Sequence, residues 1–339
     1  MATNDASTNI VSQAPGKRPR VAVVIPCYRV RAHVLGVIEA IGPDVTRIYC
    51  VDDACPEASA DHIEAGTHDP RVRVLRHDQN QGVGGATITG YRQAIADGMD
   101  VVVKLDGDGQ MDPALLPELV APILRGEADY TKGNRFWDLR QIGRMPLLRR
   151  LGNLGLSFLA KVSSGYWDIF DPTNGYTALH VAVAERLPLD QVSRRYFFET
   201  DLLFRLGTLR AVVVDVPMDA RYGDEKSNLR VSRVLGEFAF KHLRNAGKRL
   251  VYNYYLRDLP AASLELLAGV LLLGFSLVFG GWHWWLSAST GQAAATGTVM
   301  VAVVTFVSGL QFVLAFLNHD IANVPRRPLH TLLHRHRRM

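Results

Sequence analysis

One stretch limits the chain more than any other. From Leu266 to Asn318 there is no Asp, Glu, Lys or Arg. Within it, "LLAGVLLLGFSLVFGGWHWW" and "TGTVMVAVVTFVSGLQFVLAFL" are each long enough, as helices, to cross a hydrocarbon core of ~30 Å. "SASTGQAAA" lies between them and is small and polar. The pattern predicts a hairpin of two transmembrane helices; the competing reading is a buried core hairpin, which two uncharged spans in tandem disfavour. Trp282, Trp284 and Trp285 fall at the end of the first span, where an interfacial aromatic belt belongs.

The flanks give an orientation. Lys241, Arg244, Lys248, Arg249 and Arg257 precede the first span, and Arg326, Arg327, Arg335, Arg337 and Arg338 follow the second. The positive-inside rule places both ends, and everything before residue 236, in the cytoplasm. The net charge of +5 comes largely from these flanks and suits an anionic bilayer surface better than nucleic acid. Cys27, Cys50 and Cys55 show no paired metal spacing and read as reduced thiols. "MATNDASTNIVSQAPGKRPR" has no apolar signal-peptide core and reads as a disordered lead.

The rest of the 339 residues alternate strand and helix. "RVAVVIPCY", "TRIYCVDDAC", "RVRVLRHD" and "DVVVKLDGDG" read as strands, and "AHVLGVIEAIG" and "GATITGYRQAIADG" as helices. That order predicts a mostly parallel α/β sheet, in which ligands bind beyond the carboxyl ends of the strands. "DPALLPELVAPILRG" reads as a helix started at Asp112–Pro113. "ADYTKGNRF" is a short strand and loop with Lys132 and Arg135, "DIFDPTNGYTALH" a turn-rich loop with Asp168 and Asp171, and "RRYFFETDLLFRL" a helix start with Glu199 and Asp201. "RAVVVDVPM" is a late strand and "ARYGDEKSNLR" a basic loop. "MPLLRRLGNLGLSFLAKV", with Arg149, Arg150 and Lys161, is a basic amphipathic helix that either lies on a bilayer surface, the reading a membrane anchor in the same chain favours, or faces solvent and core. Residues 232–258 read as a second surface helix leading into the hairpin.

Two strand ends carry paired acids. Asp52 and Asp53 close one strand; Asp106 and Asp108 close "VVVKL". In extended backbone Asp106 and Asp108 project to the same side, and Gly107 and Gly109 let the chain bend around them. Adjacent carboxylates repel, and a divalent cation with oxygen ligands is the usual remedy. An EF-hand is excluded by spacing: counting from Asp106, Met111 stands at the sixth position and Pro117 at the twelfth. A D-x-D holding a cation together with a nucleotide diphosphate fits better; a solvated polar turn is the bland alternative. "GVGGAT" lacks the third glycine of a dinucleotide fingerprint, so it reads as close packing at a helix start.

"VVIPCY", "VDDACPE", "NQGVGGATITGYRQA", "LDGDGQMDP", "KGNRF", "DPTNGYTAL", "YFFETDLL" and "RYGDEKSNL", in this order over roughly residues 20–235, resemble the polyprenyl-phosphate glycosyltransferases, the family containing dolichol-phosphate mannose synthase. The resemblance implies a GT-A fold, a Mg²⁺- or Mn²⁺-bound nucleotide sugar and inverting transfer to a polyprenyl phosphate. It implies that Pro26, Asp52 and Asp53 line the nucleotide pocket. Asp106 and Asp108, with Gln110, hold the metal and diphosphate. Arg135 and Arg149 meet the acceptor phosphate, and Arg221 and Lys226 close over the pyrophosphate. Asp171 either orients sugar or acceptor or caps the turn before Pro172. The family's "PxYNE" is replaced by "PCYRV", which leaves UDP against GDP open. A homo-oligomer is compatible with the resemblance.

The expected organisation is a disordered lead over 1–19, a GT-A catalytic domain over 20–235, a juxtamembrane interfacial helix over 236–260, a transmembrane hairpin over 261–320 and a basic cytoplasmic tail over 321–339. Because every motif precedes residue 236, a chain ending near Asp258 is expected to keep its α/β fold. Two rivals remain. A processive polysaccharide synthase would carry Q-x-x-R-W and more spans; the other is a non-catalytic, membrane-anchored nucleotide-sugar-binding subunit.

Overall fold

The computed structural model describes residues 18–137, 147–218 and 231–336, and elements are numbered along them. The first half alternates as its apolar periodicity demands: β1 (Val21–Cys27), α1 (Val34–Glu39), β2 (Val45–Asp52), α2 (Ser59–Gly66), β3 (Val72–Arg76), α3 (Val83–Ala96), β4 (Val101–Lys104), a 3₁₀ turn, α4 (Leu116–Leu124) and β5 (Tyr130–Asn134). Then come α5 (Leu147–Ser164), β6 (Thr177–His180), α6 (Val181–Ala184), α7 (Phe198–Leu209), β7 (Val213–Pro217), α8 (Val231–Val251), α9 (Ala261–Thr290), α10 (Thr296–Ala322) and α11 (Leu329–His336).

The strands form one seven-stranded sheet in the order β3-β2-β1-β4-β6-β5-β7. β6 runs antiparallel to both neighbours, and every other pairing is parallel. β1 and β4 are buried along their whole length. Apart from Lys104 they are apolar runs, because helices cover both faces of a parallel sheet. One face packs Val24, Val51, Tyr91 and Leu202; the other packs Ile25, Ile38, Leu119 and Ile123. Each such residue contributes about 1.5–3 kcal/mol by leaving water.

β6 emerges from "TALH", which reads as loop in sequence; four residues between polar turns carry too little periodicity to announce a strand. α2 was equally silent. Its start has no side-chain cap of its own; instead Asp52 Oδ2 accepts from Ala60 N at 2.7 Å. Asp112 does cap the 3₁₀ turn that opens α4, accepting from Ala114 N at 3.0 Å. The glycines of "GVGGAT" serve packing, as expected: a Cβ on Gly84 would stand 2.6 Å from Ser193 O and 2.8 Å from Phe198 Cβ.

α9 and α10 are long and apolar enough to cross a membrane, with mean hydropathies of 2.1 and 2.3. They pack antiparallel. Ser276 Oγ donates to Ala302 O at 2.7 Å. Deeper along the pair, a Cβ on Gly269 would lie 3.0 Å from Gly309 O, and one on Gly309 3.1 Å from Gly269 O. Small residues that let two backbones approach this closely are typical of helix pairs in lipid. Leu271, Val278 and Trp284 point outward, exposed.

The hairpin is fastened to the catalytic domain, which alters the picture of a separable anchor. Asp320, near the end of α10, takes a bidentate bond from Arg249 of α8 at 2.6 and 3.0 Å. It also accepts from Tyr254 Oη at 2.6 Å and Trp167 Nε1 at 2.9 Å. Arg249 Nε in turn donates to Val162 O of α5 at 3.0 Å. The segment expected as a basic tail docks too. Asp129, fully buried, accepts from Leu329 N, His330 N and His330 Nδ1 at 2.7–2.8 Å, and the His330 ring stacks on His180. α8 lays its inner face on the domain: Asn245 Nδ2 donates to Asp201 Oδ1 at 2.9 Å, while Phe240 and Leu243 face outward.

Candidate active site

The loops at the carboxyl ends of β1, β2, β4 and β5 converge on the expected acids. Asp106 and Asp108 follow β4 directly. Asp108 Oδ1 accepts from Gln110 N at 3.0 Å, a tight local turn. Asp106 Oδ1 accepts from Lys104 Nζ at 2.7 Å, and about a third of its side chain meets solvent. Among the described residues, no group of three or more His, Cys, Asp or Glu side chains is arranged to hold a metal. Two carboxylates and an amide oxygen nevertheless form a hard, all-oxygen donor set of the kind Mg²⁺ and Mn²⁺ accept, and such ions take their remaining ligands from substrate phosphates. The residues present fit a divalent cation shared with a diphosphate.

The β2 pair has a different character. Asp52 accepts from Cys55 N at 2.7 Å with one oxygen and caps α2 with the other. Asp53 accepts from Gln81 N, Gly82 N and His77 Nδ1 at 2.7–2.8 Å. Both carboxylates thus bind main chain and shape the rim formed by residues 54–60 and 80–82. Pro26 sits buried beside them, paired with Val51. Arg29 and Ala54, on the loops after these strands, both adopt left-handed φ, at 59° and 53°. Such backbone costs free energy and recurs where loops are shaped around ligands.

On the other side of the sheet, Arg135 and Asp171 form a two-pronged ion pair at 2.8 and 3.1 Å. Asp171 is fully buried; Arg135 remains a third exposed. Of the two readings of Asp171, the structure shows the turn contact and, beside it, a bond to Arg135. It caps its turn, accepting from Thr173 Oγ1 at 3.3 Å, and it orients a guanidinium. The side chain of Arg149 lies outside the described residues, as do Arg221 and Lys226.

The structure adds groups that sequence reasoning passed over as site residues. Lys104 is buried, with its ammonium 3.3 Å from Glu199 Oε1 as well as against Asp106. Burial pushes its pKa down, but the two carboxylates outweigh that and raise it above the lysine norm. Lys132 is fully buried and is pulled down to about 8 by desolvation, opposed by Glu199, Asp171 and Asp215. Asp215 is pushed up to about 6 by burial. Part of the signal was present: a lysine inside the apolar strand "VVVKL" must find partners, whereas "YTKGN" read only as a short strand and loop.

A family model for glycosyl transferase family 2 matches residues 22–187. The undecaprenyl-phosphate mannosyltransferase of Micrococcus luteus is 30% identical over 204 residues, 59% of this chain and 82% of that protein. The chain belongs to glycosyl transferase family 2. This family 2 glycosyltransferase is also similar to the UDP-N-acetylglucosamine–dolichyl-phosphate N-acetylglucosaminyltransferase of Methanococcus voltae, with 32% identity over 152 residues. That match covers 45% of this chain and 60% of the relative's length. The dolichol-phosphate mannosyltransferase of Pyrococcus furiosus is 24% identical over 258 residues, covering 75% and 70%. Among solved structures, glucosyl-3-phosphoglycerate synthase from Mycobacterium tuberculosis in complex with Mn²⁺, UDP-glucose and phosphoglyceric acid superimposes with a TM-score of 0.51 at 20% identity, covering 68% of this chain and 79% of that one. The likeness shows a GT-A-like fold.

Proposed function

We propose that this glycosyltransferase moves a sugar from a nucleoside diphosphate sugar to a polyprenyl phosphate, with inversion at the anomeric carbon. The observation that carries the reading is the joining of two things in one body: a D-x-D at the sheet's carboxyl edge, and a membrane-length hairpin bound to the same domain through Arg249 and Asp320. The relatives from M. luteus, M. voltae and P. furiosus are named for transfer to undecaprenyl or dolichyl phosphate, which supports the acceptor class.

Asp106, Asp108 and Gln110 would hold Mg²⁺ or Mn²⁺, which when bound neutralises the donor's diphosphate; the M. tuberculosis synthase was crystallised with Mn²⁺ and UDP-glucose. Pro26, Asp52 and Asp53 shape the nucleotide pocket, and Arg221 and Lys226 are assigned to the pyrophosphate. Arg135, aimed by Asp171, and Arg149 are assigned to the acceptor phosphate, where a guanidinium fork matches the oxygens. No strong protein base is needed. The acceptor is already anionic; its oxygen bonds to the anomeric carbon as the carbon–oxygen bond to the diphosphate breaks. The protein's task is to overcome repulsion between two anions. The domain and both ends of the chain are assigned to the cytoplasmic side of the membrane.

The test is to incubate membranes with labelled UDP- and GDP-sugars and extract lipid. A short lipid-linked sugar supports the reading. A long polymer would point to a processive synthase, and no product to a binding subunit.

A further inference from the structure

Two adjacent rows cross the sheet on the face covered by α7. The lower row is Val102, Leu179, Tyr130 and Val213, matched strand to strand. It is apolar apart from one hydroxyl and belongs to the core. One step towards the carboxyl edge, the register gives Lys104, Thr177, Lys132 and Asp215. Side chains directly opposite on neighbouring strands share a face, so two buried lysines and a half-buried aspartate form a layer immediately above hydrophobic packing. Lys104, Thr177 and Lys132 are at most 1% exposed. Stability does not call for this: an apolar layer of equal volume generally serves as well or better than buried charge.

The contacts of the two ammonium groups show what the layer reaches. Lys104 Nζ donates to Asp106 Oδ1 at 2.7 Å and to Gly175 O at 3.3 Å. Lys132 Nζ donates to Asn174 O. The two lysines therefore grip successive carbonyls of one loop, 171–176. Asn174 returns the grip, with Nδ2 donating to Gly133 O at 2.7 Å. Gly175 makes the approach feasible: a Cβ there would sit 2.6 Å from Lys104 Nζ and 3.0 Å from Asp106 Oδ2. At its other end the same loop carries Asp171, which holds Arg135. Glu199, on the first turn of α7, supplies negative charge 3.3 Å from Lys104 Nζ.

We propose that Lys104 and Lys132 are positioning residues that fix the two halves of the site against each other from beneath, Lys104 setting the first D-x-D carboxylate and Lys132 setting the Asp171 loop. The proposal rests on the transferase reading and deepens it. Neither lysine touches substrate. Lys104 acts through Asp106, and Lys132 through the main chain that ends in the Asp171–Arg135 pair.

The experiment uses the full chain in detergent and has two arms. The first is calorimetric binding of UDP, or of GDP if the wild type prefers it, titrated with Mn²⁺; it needs no turnover. The second is transfer to polyprenyl phosphate, with separate constants for donor and acceptor. Lys104→Met is expected to weaken the Mn²⁺ dependence of nucleotide binding by at least about tenfold. Lys132→Met is expected to leave that binding within about twofold while lowering kcat or raising the acceptor KM about tenfold. Gly175→Ala keeps every charge and pushes on Lys104, so it is expected to reproduce the Lys104→Met signature more mildly. It also carries the test should Lys104→Met fail to fold. If both lysine variants change donor and acceptor constants by the same factor, or if Gly175→Ala leaves Mn²⁺-dependent binding at the wild-type value, the lysines are merely structural and the proposal is overturned. A wild type that binds Mn²⁺ and nucleotide but does not use polyprenyl phosphate would sink the acceptor reading alone, and the binding arm would still decide Lys104.

Discussion

Replacing Asp320 by Ala should destabilise the whole protein rather than loosen an anchor. Arg249 is 3% exposed and Asp320 4% exposed, so removing the carboxylate leaves a guanidinium buried without its charge partner. Breaking a buried pair in this way costs about 3–5 kcal/mol. Tyr254 Oη and Trp167 Nε1 lose their acceptor at the same time, each at about 1–3 kcal/mol if no water replaces it. The terms overlap, and about 5 kcal/mol is a reasonable total. At roughly 2–4 °C per kcal/mol for chains of this order of size, the midpoint should fall by at least about 10 °C. The assay is thermal unfolding in detergent followed by tryptophan fluorescence, with Trp167 inside the perturbed cluster. The control is the double variant Arg249→Met, Asp320→Leu, which removes both charges. Because replacing a whole buried pair by apolar groups is often close to neutral, the double variant should recover most of the loss. A single variant unfolding within about 2 °C of wild type, or a double variant no better than the single one, would refute the reasoning. The same argument predicts that a chain ending near Asp258 is destabilised, since it lacks the partners of both Arg249 and Asp129.

Asp108→Asn should lower transfer by at least about a hundredfold, the equivalent of several kcal/mol of lost charge stabilisation, and full activity in excess chelator would rule out the metal role. Arg149→Ala should raise the apparent KM for lipid phosphate far more than that for nucleotide sugar; movement of the sugar-nucleotide constant alone would reassign Arg149 to the donor side. Asp215→Asn should stabilise the protein above about pH 6. Burial raises the native pKa of Asp215 from 3.8 to about 6, so ionising it disfavours the folded state. That penalty is full above the native value and fades as pH falls towards 4, and the gain in chemical-denaturant midpoint should fade with it. Ser289→Cys, in the last turn of α9 beside the connecting loop, should react with an impermeant maleimide on intact cells while Cys55 does not; labelling only after lysis would reverse the assigned topology.

What was legible in the sequence was whatever is written along the chain. β1 is an uninterrupted apolar run and β4 is three valines and a lysine, both ended by turn residues, so the acids that close β4 could be placed at the sheet's carboxyl edge without coordinates. The hairpin was legible because charge vanishes over two spans. What was not legible is written across strands. Lys104, Thr177, Lys132 and Asp215 form one row only because β6 inserts between β4 and β5, and β6 comes from a segment too short and too polar-flanked to read as a strand. Arg135 and Asp171 were both singled out, yet their mutual pairing depends on the same insertion. Asp52 looked like a ligand because it is an acid at a strand end. That it also caps α2 depends on where a helix without a cap of its own begins.

The fastening contacts also bear on orientation, by a route independent of flanking charge. Gly269 meets Gly309, and Ser276 meets Ala302, so α9 and α10 run antiparallel in one register, and residues 261 and 322 share an end of the pair. At that end Asp320 bonds to Arg249 and Trp167, and further along the chain His330 bonds to Asp129, the residue before β5. A chain whose second span ended on the far side of a bilayer could make neither contact, because both partners belong to the domain that precedes the first span. The lysines and arginines of the flanks therefore do not have to specify the topology unaided. Charge bias favours one side for each end separately, whereas the bonds of Asp129 to His330 and of Asp320 to Arg249 join the segments before and after the hairpin at one end of it. Asp320 itself is the first charged residue after the uncharged stretch, and at the carboxyl end of a helix an acid meets an unfavourable dipole. Its place is explained by Arg249, and through Arg249 by the α5 carbonyl at Val162 on the catalytic domain.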